Sequence, residues 1–271
     1  MVKKFKFAIH GYEESNVCLI SFYQTKSEKK NLEKLREFAD IEPLDPKNFD
    51  NVMKKLKIFD FGNIRIKKFE EIYQKILKIS SDKKILIIFS SNHLITFFSS
   101  QVFKEDFSIL IFDAHADLKN FYENKYSRAT WLRRLLESID PKRIFLIGIR
   151  SLDEDEKEFL KYKKIKYITS FDIKENLENS IKKINNFLKS YESTYISFDV
   201  DVMENYLIKS NFPEAFGLNM YEIYKIINSL EIKKIVAIDF VEFIIENKES
   251  AINLAYILFQ FLKLLNKTLI P

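Results

Sequence analysis

Eight short apolar runs rich in Ile, Val and Phe recur along the chain, separated by longer charged segments whose apolar residues have helical spacing. Runs of this length that are apolar throughout are typical of strands buried on both faces. Strands that alternate with helices predict crossover connections, and therefore a parallel sheet covered by helices on both sides. The predicted strands are 17–22, 56–61, 85–89, 108–112, 144–149, 165–168, 195–198 and 235–238.

The segments between these runs predict helices, and no linker rich in Pro, Gly or Ser interrupts the series. The unbroken alternation indicates that residues 1–271 form one domain. We therefore predict an α/β fold, a single-domain three-layer αβα architecture with a mostly parallel sheet of about eight strands. The predicted helices are 31–39, 69–79, 129–137, 153–162, 177–190, 221–229 and 251–265.

The composition predicts a globular protein of a reducing compartment. A chain of 271 residues with 46% hydrophobic residues and 26 Phe can bury a large core, which excludes global disorder. The single cysteine, Cys18, lies in an apolar run and is expected to be a buried thiol. No segment approaches the ~18 consecutive apolar residues of a membrane span, and the N-terminus does not resemble a signal peptide. We expect a cytoplasmic protein.

The charge balance argues against nucleic acid as a partner. The formal net charge of +5 is the difference between 44 basic and 39 acidic residues. The two signs are mixed along the chain, so the sequence lacks the concentrated basic surface that binds phosphate backbones.

Acidic and histidine side chains follow three of the predicted strands, at the sheet edge where parallel sheets bind ligands. Side chains at alternate positions point the same way if the backbone stays extended beyond the strand. Four carboxylates exceed what one divalent ion needs, so the pattern predicts two ions. Oxygen and nitrogen donors suit Mn²⁺ and tolerate Ni²⁺, Co²⁺, Fe²⁺ or Zn²⁺. The predicted metal ligands are His93, Asp113, His115, Asp117, Asp199 and Asp201.

Simpler interpretations of these residues exist. A histidine after an apolar run is more often a hydrogen-bonded residue than a ligand, and an aspartate there often caps a helix. The chain has only 3 histidines, however, and two of them follow strands close to acidic pairs, which favours a metal site. The third, His10, is predicted to lie in a loop without a role.

At these positions the chain resembles the ureohydrolase family of arginases and agmatinases, and agmatinases most of all. The family's metal motifs, Asp-Ala-His-x-Asp and Ser-Phe-Asp-x-Asp, are similar to residues 113–117 and 197–201. The order and spacing of the motifs hold from about residue 15 to the C-terminus. Further similar segments are 60–63 (Asp-Phe-Gly-Asn), 147–151 (Ile-Gly-Ile-Arg-Ser), 213–218 (Pro-Glu-Ala-Phe-Gly-Leu) and 239–242 (Asp-Phe-Val-Glu).

The resemblance implies hydrolysis of a guanidino or amidino group at two Mn²⁺ ions, with urea as one product. It implies that Asp117 is a metal ligand that also accepts a proton from the attacking hydroxide. It implies that Glu242 holds the guanidinium through charge-assisted hydrogen bonds. The alternative for Glu242 is a surface carboxylate at the start of a helix. The family also implies a homotrimer or a homohexamer.

Several positions depart from the family pattern, among them Arg128 and two segments of the chain. Arg128 stands where agmatinases carry a histidine that shuttles protons to the leaving amine. Arginine stays protonated at neutral pH, so it cannot act as a general acid or base, and its charge would favour an anionic substrate tail. The residues before His93 are Ser90-Ser91-Asn92 instead of Gly-Gly-Asp, and residues 21–25 replace a Gly-x-Pro-x-Asp motif.

Two hypotheses follow from these departures. The first is an active hydrolase in which Arg128 binds an anionic substrate tail and another group moves protons. The second is a relative that keeps its metals but is catalytically weak or silent, and that acts as a binding or assembly subunit.

Overall fold

A computed structural model describes residues 4–40, 42, 45, 51–80, 84–103 and 107–269. Eight of the strands in these residues form one sheet in the order β2-β1-β3-β9-β7-β4-β5-β6, and all of its pairings are parallel. Two short strands, β8 and β10, pair antiparallel to each other beside it. The strands are β1 (Val17–Tyr23), β2 (Ile58–Arg65), β3 (Ile85–Phe89), β4 (Phe107–Phe112), β5 (Ile144–Ile149), β6 (Lys166–Thr169), β7 (Ser193–Asp199), β8 (Lys209–Ser210), β9 (Ile235–Val241) and β10 (Phe243–Ile244).

Helices cover the sheet on both faces, which confirms the predicted αβα architecture. Leu35 and Leu258, on the first and last helices, belong to one buried cluster, whereas Ile76 and Leu160 belong to another. The sheet separates the two clusters because successive strand residues point to opposite faces. The helices are α1 (Lys26–Phe38), α2 (Glu70–Ser80), α3 (Leu94–Ser100), α4 (Trp131–Leu135), α5 (Glu154–Lys163), α6 (Ser170–Glu175), α7 (Leu177–Leu188), α8 (Met220–Asn228) and α9 (Lys248–Thr268).

All eight predicted strands are present, and the differences lie at their ends and in the short elements. Strands β7 and β9 extend past their predicted apolar runs to Asp199 and Val241, which pair with each other. The polar residue Asp239 fits within β9 because Ser197 Oγ donates a 2.6 Å hydrogen bond to its Oδ1. Helices α3 and α6 were not predicted, since elements of 7 and 6 residues are too short to show helical periodicity. Cys18 is fully buried in β1, as predicted.

A buried ion pair anchors α1 to the edge of the sheet. Nε and Nη2 of Arg36 each lie 2.9 Å from an oxygen of Asp60, a bidentate arrangement with both side chains fully buried. The same carboxylate accepts hydrogen bonds from the backbone N–H groups of Phe5 and Gly62. Four donors therefore satisfy Asp60, which gives the segment 60–63 a structural role away from the predicted metal site.

The sheet order places four of the strand ends side by side. Strands β3, β9, β7 and β4 are consecutive neighbours at the centre of the sheet, although they are far apart in the chain. Neighbouring strands lie ~4.8 Å apart, so residues that follow these four strands can reach a common point. Among the described residues, no helix combines the length and the hydropathy needed to cross a bilayer.

Candidate metal centre

Five of the six predicted ligands line a cavity of about 300 Å³ at the carboxyl ends of the central strands, and the sixth, Asp113, contacts His93 there. His93 follows β3, residues 113–117 follow β4, and Asp199 and Asp201 lie at the end of β7. Glu242 follows β9, the strand between β3 and β7. The four strand ends thus bring every predicted ligand and Glu242 to one place.

His93 is buried, with 1% of its surface exposed. Its Nδ1 atom lies 3.1 Å from Asp113 Oδ2, 3.1 Å from Asp117 Oδ2 and 3.2 Å from Asp199 Oδ2. None of the three contacts has the geometry of a hydrogen bond. One nitrogen and three carboxylate oxygens therefore face a common point, which is the arrangement of ligands around a cation.

A hydrogen bond at Nε2, on the other side of the ring, determines the tautomer of His93. Nε2 lies 2.9 Å from Ser197 Oγ, and the Ser197 hydroxyl donates its proton to Asp239. Thr96 and Tyr195 also donate hydroxyl protons to Asp239, which is fully buried. Because the Ser197 proton is committed to Asp239, Ser197 must accept from His93 Nε2–H, so Nδ1 is the nitrogen whose lone pair could bind a cation placed among the three carboxylates.

A second group of potential ligands shares Asp113 with the first. One ligand atom each from Asp113, His115 and Asp201 lie within 4.8 Å of one another, as do those from His93, Asp113 and Asp199. His115 Nδ1 lies 2.9 Å from Asp201 Oδ2, and its Nε2 lies 3.3 Å from Glu214 Oε1. Two overlapping groups could hold two cations, with Asp113 common to both.

The residues after β4 do not converge by simple alternation along an extended backbone. Asp117 has φ of 52°, in the left-handed region, so the chain turns there. The turn brings Asp117 Oδ2 back towards His93, and Trp131 Nε1 donates a 2.6 Å hydrogen bond to the same oxygen. The predicted residues do lie together, but a turn at Asp117, and not an extended backbone, brings them together.

The pKa values around the cavity show an excess of negative charge. Burial, together with the charges of Asp201 and Asp117, raises the pKa of Asp113 to about 6. Burial lowers the pKa of His115, but its bonds to Asp113 and Asp201 outweigh this and raise the pKa to about 12. Burial likewise opposes protonation of His93, yet its three carboxylate neighbours raise its pKa well above the usual value. The carboxylates therefore favour positive charge at each histidine, and divalent cations would supply such charge.

Glu242 lies beside the two groups of potential ligands. Only 3% of its surface is exposed, so it is not a surface carboxylate. Its Oε1 accepts a 2.7 Å hydrogen bond from the backbone N–H of His93. Its Oε2 accepts from Arg128 Nη1 at 2.5 Å and from Asn211 Nδ2 at 3.1 Å. Burial raises the pKa of Glu242 to about 6, although the charge of Arg128 opposes the shift.

Comparisons with known proteins place the chain in a family. A family model described as the arginase family matches residues 32–262. The chain belongs to the arginase family. A protein of Methanothermus fervidus described as an uncharacterized 32.2 kDa protein in the hmfB 3' region is 34% identical over 232 residues, which cover 79% of this chain and 80% of that protein.

Named relatives of this arginase-family chain are ureohydrolases. The N(1)-aminopropylagmatine ureohydrolase of Thermococcus kodakarensis is 30% identical over 204 residues, covering 70% of this chain and 67% of that enzyme. The solved structure of the agmatine ureohydrolase of Thermoplasma volcanium superposes with a TM-score of 0.87 at 26% identity, covering 98% of this chain and 95% of that one. The predicted family, fold and ureohydrolase class are confirmed.

The segment 147–151 of this arginase-family chain contacts two loops of the candidate metal centre. Nη2 of Arg150 donates to the backbone oxygens of Asp201 and Glu214, at 2.5 and 3.2 Å. Gly148 has φ of 97°, and a Cβ there would lie 2.5 Å from Cγ2 of Val202. The glycine and the arginine hold the loops that carry Asp201 and Glu214 against β5.

The loop before His93 is ordered by its own side chains in place of glycines. Asn92 Oδ1 accepts from the backbone N–H of Leu94 at 2.9 Å, and Ser90 Oγ accepts from the N–H of Asn92 at 3.2 Å. These bonds hold His93 at the start of α3. His10 lies away from the cavity, where its Nδ1 accepts from the N–H of Ile58, so it has a structural role that was not predicted.

Some residues that support the site were not identified in the sequence. Thr96, Tyr195 and Asn211 looked like ordinary core or loop residues, and Trp131 like a core aromatic residue. One signal was available for β7, where hydroxyl side chains alternate within a strand that is otherwise apolar. Buried polar groups need partners, so such a strand indicates a hydrogen-bond network.

Proposed function

We propose that this arginase-family chain hydrolyses a C–N bond of a guanidino or amidino compound at a centre of two divalent cations. One observation carries the proposal: Nδ1 of His93 faces oxygens of Asp113, Asp117 and Asp199 at 3.1–3.2 Å. A second group shares Asp113, and the buried carboxylate of Glu242 lies next to both. The cations would provide an electrophilic site, and the buried carboxylate beside them would bind a guanidinium.

The six candidate ligands fit Mn²⁺, and they also suit Ni²⁺, Co²⁺, Fe²⁺ or Zn²⁺. His93, Asp113, Asp117 and Asp199 would hold one ion, and Asp113, His115 and Asp201 would contribute to the other. All donors are nitrogen or oxygen atoms, and no thiolate is present to select a soft metal. When bound, two such ions would lower the pKa of a water molecule and supply a hydroxide nucleophile near neutral pH.

Asp117 is the residue proposed to accept the proton of the nucleophile. Its Oδ2 lies at the His93 end of the cavity, and its hydrogen bond from Trp131 Nε1 fixes the direction of that oxygen. A carboxylate held at the reacting centre can take a proton and later release it to the leaving amine. The overall reaction of a guanidinium substrate adds one water, breaks one C–N bond, and yields urea and an ammonium group.

Glu242 is proposed to hold the planar guanidinium or amidinium of the substrate by charge-assisted hydrogen bonds. Its Oε1 is fixed by the backbone N–H of His93, whereas its Oε2 pairs with Arg128. A substrate guanidinium must therefore compete with the guanidinium of Arg128 for the same carboxylate. The fixed charge of Arg128 also disfavours substrates with a cationic tail and favours those with an anionic tail.

We also propose that the chain is cytoplasmic and that its copies associate with one another. Large aromatic side chains such as Tyr206 and Phe216 are exposed, at 77% and 61%, which supports contacts between copies of the chain. We expect a homotrimer or a homohexamer, with no nucleic-acid or membrane partner. Analytical ultracentrifugation of the purified chain tests the assembly.

Urea release with added Mn²⁺ tests the catalytic proposal. The substrate panel is agmatine, arginine, 4-guanidinobutyrate and free guanidine, with Asp199→Asn as the control that removes a ligand. We expect turnover of 4-guanidinobutyrate to exceed that of agmatine, and no turnover by the control. Absence of urea from every compound, in protein shown to contain metal, would contradict the proposal.

A second candidate function is that of a binding or assembly subunit with a silent metal centre. The Arg128–Glu242 pair favours it, because it engages the carboxylate that a substrate guanidinium needs. The variant Arg128→His separates the two candidates. A gain of about 10²–10⁴-fold in urea release over Arg128→Ala, which frees Glu242 without supplying an acid or base, would show that a proton-transfer group had been missing.

A further inference from the structure

A second cavity, of about 400 Å³, adjoins the metal centre on the far side of Arg128. Arg128 is the residue that lines both cavities within the described part of the chain. Thr25 and Ser91, which lie in two other segments where the chain departs from the agmatinase pattern, line the second cavity too. Three of the departures from the family pattern therefore meet at one surface.

Two lysine side chains, without an ion-pair partner in the part of the chain that the structure describes, bring positive charge to the second cavity. Lys30 and Lys34 of α1 line it, and no carboxylate of the described residues lies within ion-pair distance of either ammonium group. Lys34 Nζ donates to the backbone oxygens of Ile245 and Glu246, at 3.1 and 3.2 Å, which orients the ammonium without neutralising it. Two carboxylates line the cavity as well: Glu28, which accepts a 2.7 Å hydrogen bond from the backbone N–H of Gln24, and Glu246, which pairs with Lys209 at 2.8 Å.

The walls of this cavity are fixed by an asparagine. Asn31 Oδ1 accepts from the N–H of Ile245 at 2.5 Å, and its Nδ2 donates to the backbone oxygen of Phe243 at 2.6 Å. Nδ2 also donates to Ser91 Oγ at 3.2 Å, so the Ser91 hydroxyl proton is available to another acceptor. Helix α1 and the β10 segment are thereby held at a constant separation, with hydroxyl and ammonium donors between them.

We propose that this second cavity binds an anionic group, a carboxylate or a tetrahedral oxyanion, and that the anion draws Arg128 away from Glu242. Among the described residues, Nη1 is the one nitrogen of Arg128 with a hydrogen bond. A guanidinium has five N–H donors, so the others can reach a second acceptor. An anion held by Lys30, Lys34 and Arg128 competes with Glu242 Oε2, and a substrate guanidinium then takes the released oxygen.

The consequence is positive coupling between the two cavities. An anion in the second cavity raises the affinity of Glu242 for a guanidinium, and the guanidinium raises the affinity for the anion by the same factor. The anion has two potential sources: the carboxylate tail of the substrate itself, or a separate small ion. The coupling rests on the role proposed above for Glu242, whereas anion binding by the lysines does not.

Calorimetric titration of the Mn²⁺-loaded full chain with sulfate tests the anion site without requiring turnover. We expect saturable binding that weakens about tenfold in Lys34→Gln and in Lys30→Gln, the loss of one charge-assisted hydrogen bond. The matched control is Lys29→Gln, which lies on the same helix but pairs with Glu33. Sulfate binding that is absent, or equal in all four proteins, would overturn the proposal even if the enzyme releases urea.

A second titration, with guanidinium chloride at millimolar concentration, tests the coupling. Sulfate should tighten guanidinium binding at least about fivefold in the native chain and not in Lys34→Gln. If sulfate binds without changing the affinity for guanidinium, the proposal that the anion draws Arg128 away from Glu242 is wrong. Displacement of sulfate by 4-guanidinobutyrate would identify the substrate tail as the anion, and simultaneous binding would identify a separate ion. Saturable sulfate binding in a protein that releases no urea would refute only the catalytic proposal.

Discussion

The indole N–H of Trp131 donates a 2.6 Å hydrogen bond to Oδ2 of Asp117, the oxygen that lies 3.1 Å from His93 Nδ1. The bond joins the turn after β4 to helix α4 and fixes the carboxylate relative to the histidine. A partner that orients a metal ligand in this way affects both metal affinity and reactivity.

We predict that Trp131→Phe lowers Mn²⁺ affinity by about 10–100-fold while the protein remains folded. Phenylalanine keeps most of the ring packing but lacks the N–H, so the Asp117 carboxylate loses its orientation. Calorimetric titration with Mn²⁺ measures the change, and circular dichroism checks the fold. An unchanged dissociation constant would show that the hydrogen bond has no influence on the metal.

We predict that Ser197 maintains the tautomer of His93 that carries its proton on Nε2. In Ser197→Ala, the Nε2–H of His93 and the carboxylate of Asp239 each lose a buried partner, at a cost of about 1–3 kcal/mol in unfolding free energy. Ser197→Cys is the matched comparison, because a thiol can still donate weakly. We expect Mn²⁺ affinity to follow the order Ser, Cys, Ala. A different order would refute the proposed relay from Asp239 to His93.

The metal-free protein should become less stable as the pH rises. The pKa of His115 is raised from 6.5 to about 12 by Asp113 and Asp201 against the effect of burial, and that of Asp113 is raised from 3.8 to about 6, chiefly by burial. The folded chain therefore keeps protons that the unfolded chain releases. Stability from Asp113 is lost between pH 4 and 6, and stability from His115 is lost progressively above pH 6.5.

Thermal unfolding in EDTA, followed from pH 5 to pH 9, checks this dependence. We expect the midpoint to fall with pH in EDTA, and the increment produced by Mn²⁺ to grow with pH because metal and proton compete for the same histidines. A midpoint that rises steadily over this range in EDTA would contradict the assigned directions.

The buried pair of Arg36 and Asp60 should dominate the stability of the sheet edge. Arg36→Met leaves a carboxylate without its charge partner in a fully buried position, which costs about 3–5 kcal/mol. The control is Lys6→Met, because the Lys6–Asp40 pair has side chains 65% and 66% exposed, and such pairs contribute at most about 1 kcal/mol. Urea denaturation distinguishes the two losses, and equal losses would contradict the prediction.

The sequence alone predicted the eight strands and the common location of the six candidate ligands, because both depend on local patterns. Apolar runs identify strands, and the residues just after them in a parallel sheet share one edge. The order of the strands is not a local property, however. Helices and side chains that pack on the sheet decide that β9 lies between β3 and β7, and that Glu242 therefore meets His93.

Relationships across long chain separations were also beyond prediction. Arg128 and Glu242 are 114 positions apart and lie on different loops, so their pairing depends on how both loops fold over the cavity. The left-handed turn at Asp117 was missed for a related reason. The turn places the carboxylate beside His93 and Trp131, contacts that no local pattern reveals.

The sole tryptophan of the chain is Trp131, and its ring centroid lies 4.7 Å from that of His93. All indole emission therefore originates beside the place where a paramagnetic ion would sit. The protein carries its own optical reporter, so manganese uptake can be followed by fluorescence quenching without any label.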